Sequence, residues 1–145
     1  MALVWPVRFV KDVPRNKPSL VTLRNVPYVL WWSNGAVRAA EDACPHRLAK
    51  LSSGDISGNK LICGYHAWEF DEQGVCVTIP QVPPGTKYPK ACNLRTVSAT
   101  MQDGIVWLAQ VRGCPPYYPL ATAWPQRSRY FSKLTRGVWG GSAPP

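Results

Sequence analysis

Residues 43–68 read ACPHRLAKLSSGDISGNKLICGYHAW, and they contain both histidines of the chain and two of its five cysteines. The four side chains form two short pairs, Cys44 with His46 and Cys63 with His66, and sixteen residues separate the pairs. Thiolate sulfur and imidazole nitrogen are ligands that borderline and soft metals prefer. The stretch therefore predicts a metal site built from these four residues.

The order of the ligands along the chain narrows the kind of metal site. A common zinc finger has two Cys followed by two His, whereas here each short segment offers one sulfur and one nitrogen. Two such segments can bridge a binuclear cluster, because both Cys can bind one iron while both His bind the other. That is the ligand set of a Rieske [2Fe–2S] centre. A zinc site, or a chance clustering of unrelated Cys and His, are the alternatives.

The segments CPHR (44–47) and CGYH (63–66) resemble the two halves of the Rieske motif. The resemblance implies one [2Fe–2S] cluster per chain, in which each iron has two protein ligands of one kind. These ligands are Cys44 and Cys63 on one iron, and His46 and His66 on the other. Neutral imidazoles leave the oxidised cluster close to zero net charge, so an added electron is accommodated more easily than with four thiolates. Rieske potentials accordingly lie between about −150 and +300 mV, against about −400 mV for plant-type ferredoxins.

Further segments resemble the N-terminal domain of the pheophorbide a oxygenase family, a group of plant and cyanobacterial Rieske mono-oxygenases. They are DVPRNKP (12–18), VLWW (29–32), EDACPHRLAKLSSG (41–54), GYHAWEFDEQGVCVTIPQ (64–81) and QDGIVWL (102–108). Neither cluster loop has the extra cysteine that forms a disulfide in respiratory Rieske proteins. This favours the oxygenase type and the low end of the Rieske potential range.

The resemblance implies a role in electron transfer. In this family the cluster receives an electron from a ferredoxin-like or reductase donor and passes it to a mononuclear iron, held by two His and one carboxylate in an oxygenase catalytic domain. The chain has no third histidine. We therefore predict a redox module without that iron site, either a truncated oxygenase or a free-standing Rieske ferredoxin-like carrier. The family also implies a chloroplast or a cyanobacterial cell, although no transit peptide is visible.

The remaining sequence predicts an all-β fold, an antiparallel β sandwich with two cluster-binding loops. No window shows helical periodicity, and three turns contain glycine in hairpin context: Asn34-Gly35, DEQG (71–74) and Gln102-Asp103-Gly104. The predicted strands are 19–24, 26–32, 36–41, 66–70, 75–79, 93–101 and 105–111. The segment 80–89 contains four prolines and is predicted to be a stiff loop. It resembles the loop that covers the cluster in Rieske folds, and an ordinary rigid connector is the alternative.

The composition predicts one domain and a different C-terminal segment. Of 145 residues, 46% are hydrophobic, and no run is long enough to span a membrane. We predict a Rieske domain at 1–111 and an irregular, extended or disordered tail at 112–145, which carries five Lys/Arg and no acid. No nucleic-acid partner is expected of the redox module. The competing class is a binding module with a structural metal site, whose basic tail engages nucleic acid or lipid.

The sequence also predicts local roles for single residues near the motif. Ala67 stands where the family usually has Gly, so a positive φ there adds about 1 kcal/mol of strain. Trp68 is either a shield for the cluster or an ordinary core aromatic, and Arg47 is either a steering charge for an anionic donor or an ordinary exposed arginine. The remaining cysteines are predicted to be free thiols: Cys76, Cys92 and Cys114.

Overall fold

The structure is a computed structural model that describes residues 4–109, and these residues form ten β-strands and three single turns of 3₁₀ helix. The strands are β1 Val4–Phe9, β2 Ser19–Leu23, β3 Val26–Ser33, β4 Ala36–Glu41, β5 Asp55–Ser57, β6 Lys60–Ile62, β7 Glu69–Phe70, β8 Cys76–Thr78, β9 Thr96–Gln102 and β10 Ile105–Ala109. The 3₁₀ turns are Val10–Asp12, Leu51–Ser53 and Lys90–Cys92. The prediction of an all-β fold is confirmed for this part of the chain, in which no helix is long and apolar enough to cross a membrane. The predicted tail and Cys114 lie outside the described residues.

Six strands form an antiparallel sheet in the order β1-β10-β9-β4-β3-β2. Strand β3 is apolar along almost its whole length because both of its faces are buried. Its even-numbered residues, including Leu30 and Trp32, belong to one core, and Val29 and Trp31 belong to the other. Side chains alternate across a strand, so one run of apolar residues joins two cores.

Two of the predicted tight turns have the backbone conformation that is expected from their sequences. Asn34 and Gly35 have φ of 50° and 73°, and Asp103 and Gly104 have φ of 51° and 75°. Two successive positive φ values are typical of the two-residue hairpin turn whose twist matches that of the flanking strands. These turns therefore set the register of β3 against β4 and of β9 against β10.

A second antiparallel sheet, in the order β5-β6-β7-β8, packs beside the first. One core lies between the sheets, and it contains Trp31, Phe70 and both motif cysteines. Hydrogen bonds join the hairpin ends of the two sheets, including one from Ser33 Oγ to the Asn59 carbonyl at 2.7 Å. The second sheet is thereby held against β3 and β4, and its loops lie next to the first motif pair.

The sequence did not reveal β1 or the β5–β6 hairpin. Strand β1 pairs with β10 and completes the six-stranded sheet. The hairpin lies within the sixteen residues that separate the motif pairs. Each of its strands has only three residues, which is too short for an alternating pattern of apolar and polar residues to be recognised. It returns the chain toward the first pair, so the spacer is a structural element and more than a linker.

Candidate metal centre

The two motif segments form loops with the same backbone design. In each loop the cysteine N–H donates to the carbonyl five residues later, and the N–H four residues later donates to the cysteine carbonyl. The bonds are Cys44 N–H to Ala49 O (2.9 Å), Leu48 N–H to Cys44 O (2.8 Å), Cys63 N–H to Trp68 O (2.9 Å) and Ala67 N–H to Cys63 O (3.0 Å). The loops follow β4 and β6, so each sheet supplies one of them.

Each loop closes through a residue in the left-handed region. Leu48 has φ of 58° and Ala67 has φ of 56°, and both lie four residues after the loop cysteine. Ala67 therefore has the positive φ at which alanine, in place of the family's usual glycine, is strained. A side chain in this conformation costs about 1–2 kcal/mol, because its Cβ approaches the following carbonyl oxygen.

Replacing Ala67 with glycine is expected to stabilise the protein. Glycine adopts positive φ without strain, although it loses more backbone entropy on folding, so the free energy of unfolding should rise by up to about 1 kcal/mol. Chemical denaturation of wild type and variant measures the change. Gly85 has φ of 82° and open space around it, so Gly85→Ala is the reverse control and should destabilise. A lower stability of Ala67→Gly would contradict the strain at this position.

The two motif cysteines lie side by side in the core between the sheets. Cys44 is 1% exposed and Cys63 is 2% exposed, and both belong to the same buried apolar cluster. Burial, and then the neighbouring Cys63, raise the pKa of the Cys44 thiol well above its usual range. Two adjacent thiolates at this position need positive charge nearby, which is what a bound metal supplies.

The two histidines lie together at the surface end of the same site. Their ring centroids are 4.6 Å apart at 62°, with His46 exposed and His66 half-buried. His66 Nδ1 is buried and has no hydrogen-bond partner in the described structure, so it is available as a ligand atom. Desolvation, then His66 and Arg47, lower the pKa of His46, which favours the neutral imidazole that binds metal.

The arrangement fits a binuclear cluster. It offers a buried pair of sulfurs and a more exposed pair of nitrogens, and each loop contributes one member to each pair. Within residues 4–109 no three His, Cys, Asp or Glu side chains are placed to hold one ion. A Rieske centre requires one pair of sulfur donors and one pair of nitrogen donors, because two His replace two Cys on one iron.

Close backbone contacts hold the two loops together. A Cβ added to Gly54 would lie 2.0 Å from the Ile62 carbonyl oxygen, and one added to Gly64 would lie 3.0 Å from the Ser53 carbonyl oxygen. The Asp42 carboxylate accepts hydrogen bonds from the Ser52 N–H at 2.7 Å and the Ser52 hydroxyl at 2.6 Å. These contacts join the start of the first loop to the 3₁₀ turn that follows it and to the end of β6.

The model of the family described as "Rieske [2Fe-2S] domain" matches residues 4–98. The chain belongs to this Rieske family. The cofactor of the family is a [2Fe–2S] cluster, so the predicted cofactor is confirmed. The Rieske fold predicted from the motif is confirmed as well, with the two loops placed at one end of the paired sheets.

Relatives of the chain include plant proteins of the predicted branch. "Protein TIC 55, chloroplastic" of Arabidopsis thaliana is 40% identical over 113 residues, covering 77% of this chain and 21% of that protein. "Pheophorbide a oxygenase, chloroplastic" of Oryza sativa subsp. japonica is 38% identical over 113 residues, covering 71% and 21%. The resemblance to the pheophorbide a oxygenase family is therefore confirmed. The chain spans about a fifth of the length of these curated relatives.

A solved structure shares the fold. The structure "Pseudomonas putida CBB5 NdmA QL mutant with theobromine" has a TM-score of 0.70 with this Rieske chain at 28% identity, and it covers 83% of this chain and 39% of that one. The Rieske fold is thus supported by an experimentally solved protein.

Aromatic side chains surround the histidines of the Rieske site. The Trp68 ring stacks on His46 with centroids 4.7 Å apart and planes 7° apart, and it is 9% exposed. Trp68 thus belongs to the core and also covers one face of a candidate ligand, and a role in shielding the cluster stays a prediction. Tyr65 lies over His66 at 3.9 Å, a contact that the sequence analysis missed although Tyr65 is directly next to the histidine.

The proline-rich segment has no strand, as predicted, and it contacts the second loop. Gln81 Nε2 donates to the His66 carbonyl at 2.9 Å, and Val82 and Tyr88 pack against the core that holds the cysteines. Nothing in the spacing of the motif indicated Gln81, because its partner is a backbone atom fifteen residues away. The remaining described cysteines are free thiols as predicted: Cys76, which is buried, and Cys92, which is half-buried.

Proposed function

We propose that the chain transfers single electrons through its Rieske [2Fe–2S] cluster, as the redox module of a pheophorbide a oxygenase-like mono-oxygenase. The proposed ligands are Cys44 and Cys63 on one iron, and His46 and His66 on the other. The observation that carries the proposal is the separation of the donors into a buried sulfur pair and a surface nitrogen pair. When bound, the cluster supplies a one-electron redox couple.

The protein's own residues make one end of the site accessible and keep the other dry. The cysteines are almost fully buried, so water has little access to the sulfur end. His46 is exposed, so a partner can approach the nitrogen end closely. Trp68 fixes the plane of the His46 ring by stacking, and Gln81 anchors the backbone of the second loop. The exposed imidazole edge is thus the proposed place of electron entry and exit.

The partners follow from the family and are part of the proposal. A ferredoxin-like or reductase protein is the proposed donor, and an oxygenase catalytic domain holding the mononuclear iron is the proposed acceptor. The plant relatives are named as chloroplast proteins, which supports a chloroplast or cyanobacterial setting. The Rieske domain is proposed to occupy 1–111, and a free-standing carrier remains the second form that the same chemistry allows.

Spectroscopy of the full chain tests the proposed ligand set. The purified protein is expected to contain two iron and two acid-labile sulfide per chain, and the reduced form should give the EPR signal of a cluster with mixed nitrogen and sulfur ligands. Pulsed EPR should resolve two coupled imidazole nitrogens. Stoichiometric zinc without labile sulfide, or a spectrum without nitrogen coupling, would reject the proposal.

A further inference from the structure

Asp42 is the only charged side chain that is buried in residues 4–109, the described part of the chain. It is 5% exposed and lies between the end of β4 and Cys44, the first proposed iron ligand. The Ala43 N–H donates to the Glu41 carbonyl at 2.8 Å, so a tight turn centred on Asp42 leads the chain from the strand into the loop. A buried carboxylate is costly unless other groups compensate its charge. A role beyond packing is therefore expected of it.

The contacts of the Asp42 carboxylate are dipoles and not countercharges. Both of its oxygens accept hydrogen bonds, Oδ1 from the Ser52 N–H at 2.7 Å and Oδ2 from the Ser52 hydroxyl at 2.6 Å. The ion pairs of the described residues join other side chains: Arg38–Glu72, Lys60–Glu69 and Arg95–Glu41. Acceptance of hydrogen bonds at both oxygens is typical of an ionised carboxylate. The negative charge of Asp42 is therefore held in place but not neutralised.

The position of this charge couples it to the cluster site. Two residues of extended chain span at most about 7 Å, so the Cα atoms of Asp42 and Cys44 are no farther apart than that. At an effective dielectric constant of about 20, a unit charge about 12 Å away changes the equilibrium for adding one electron about ten-fold. Arg47 and Lys50 of the same loop are exposed, so water screens their charges more strongly. A fixed negative charge at Asp42 thus makes the cluster harder to reduce.

The hydrogen bonds of Asp42 also help to hold the two loops in place. Ser52 belongs to a 3₁₀ turn whose first residue, Leu51, packs in the core that contains both motif cysteines. The turn continues into Gly54, which has no room for a Cβ beside the Ile62 carbonyl at the entry to the second loop. Asp42 therefore anchors, through Ser52, a part of the backbone on which the relative position of the loops depends.

We propose that Asp42 is a positioning residue that sets the reduction potential of the cluster. Its two hydrogen bonds from Ser52 hold the loops, and its buried charge lowers the potential. The inference rests on the proposed function and adds to it a residue that is not an iron ligand. In the step one electron passes from a one-electron reductant to the oxidised cluster, with no bond made or broken, and it arrives beside a fixed negative charge. Reduction costs more free energy as a result, and onward transfer of the electron becomes more favourable.

Spectroelectrochemical titration of the full, cluster-loaded chain at one fixed neutral pH tests the charge. Asp42→Asn keeps the shape of the side chain and one oxygen that accepts from Ser52, but it removes the charge. We expect the equilibrium constant for reduction by a fixed reference couple to rise about ten-fold, which for one electron is a potential about 59 mV higher. Asp55→Asn is the matched control, because Asp55 is exposed and pairs with Ile62, directly before Cys63. The control should change the equilibrium constant by less than about two-fold, since water screens an exposed charge.

Ser52→Ala separates the effect of the charge from a merely structural role. It removes one hydrogen bond to the carboxylate and keeps the charge, which the hydroxyl dipole then no longer offsets, so the potential should stay the same or fall. A structural role alone would move the potentials of Ser52→Ala and Asp42→Asn in the same direction. That outcome, or an equilibrium constant for Asp42→Asn within about two-fold of wild type, would overturn the inference. If Asp42→Asn holds no cluster, a Ser52→Ala potential above that of wild type overturns it.

The same samples separate this inference from the proposed function. Iron, labile sulfide and the EPR spectrum of each variant report whether the cluster and its ligands are intact. Without a Rieske spectrum in the wild type the proposed function fails. With a normal spectrum in both wild type and Asp42→Asn, an unchanged potential rejects the role of Asp42 alone.

Discussion

Replacing Cys63 with serine is expected to remove the cluster while leaving a folded chain. Serine is nearly isosteric with cysteine, but its hydroxyl is a poor ligand for iron that thiolate binds well. Loss of a direct ligand should exceed the 10- to 100-fold cost of losing a second-shell partner, so iron and sulfide should fall by more than about ten-fold. Metal and sulfide analysis with visible and EPR spectra measures this, and circular dichroism reports whether the strands remain.

A matched control exists in the same core. Cys76 is also buried and belongs to the same apolar cluster as Cys63, and burial raises the pKa of its thiol to about 11. Cys76→Ser should lower stability, because a buried thiol is replaced by a more polar group, yet keep the full iron and sulfide content. Retention of the cluster in Cys63→Ser, or its loss in Cys76→Ser, would refute the proposed ligand set.

The Gly54→Ala variant is expected to disrupt the contact between the two loops. The added Cβ would lie 2.0 Å from the Ile62 carbonyl oxygen and 3.1 Å from the Leu51 carbonyl oxygen. Both neighbours are backbone atoms, so the 3₁₀ turn or the end of β6 must move, and Ile62 directly precedes Cys63. We expect a loss of more than about 3 kcal/mol in stability together with a large loss of cluster. Thermal unfolding of the purified holoprotein, followed by visible absorption, measures both.

Gly58 provides the comparison for Gly54. It lies in the turn of the β5–β6 hairpin with φ of 59°, and nothing lies within 4 Å of an added Cβ. Gly58→Ala therefore costs only the left-handed strain of about 1–2 kcal/mol, and the cluster should remain. Equal effects of the two substitutions would mean that backbone conformation, and not the approach of the loops, limits stability here.

Much of the fold followed from local sequence signals. Asn34-Gly35 and Asp103-Gly104 predicted hairpins, since few other residue pairs adopt two positive φ values, and the strands that flank them were confirmed. Strand β1 was missed because the strand it pairs with, β10, is far away in sequence, with Val4 opposite Ala109 and Phe9 opposite Ile105. The β5–β6 hairpin was missed because three-residue strands carry no periodic pattern.

The sequence alone determined the chemistry of the site: the types of donor atom, their order and their spacing, because these are properties of neighbouring residues. Only the tertiary structure decided which donors lie together and which meet solvent. The pairing of Cys44 with Cys63 depends on the short hairpin and on glycines that let two backbones approach. The exposure of His46 and Leu48 depends on how two sheets pack, and that packing is the sum of many long-range contacts that no short motif encodes.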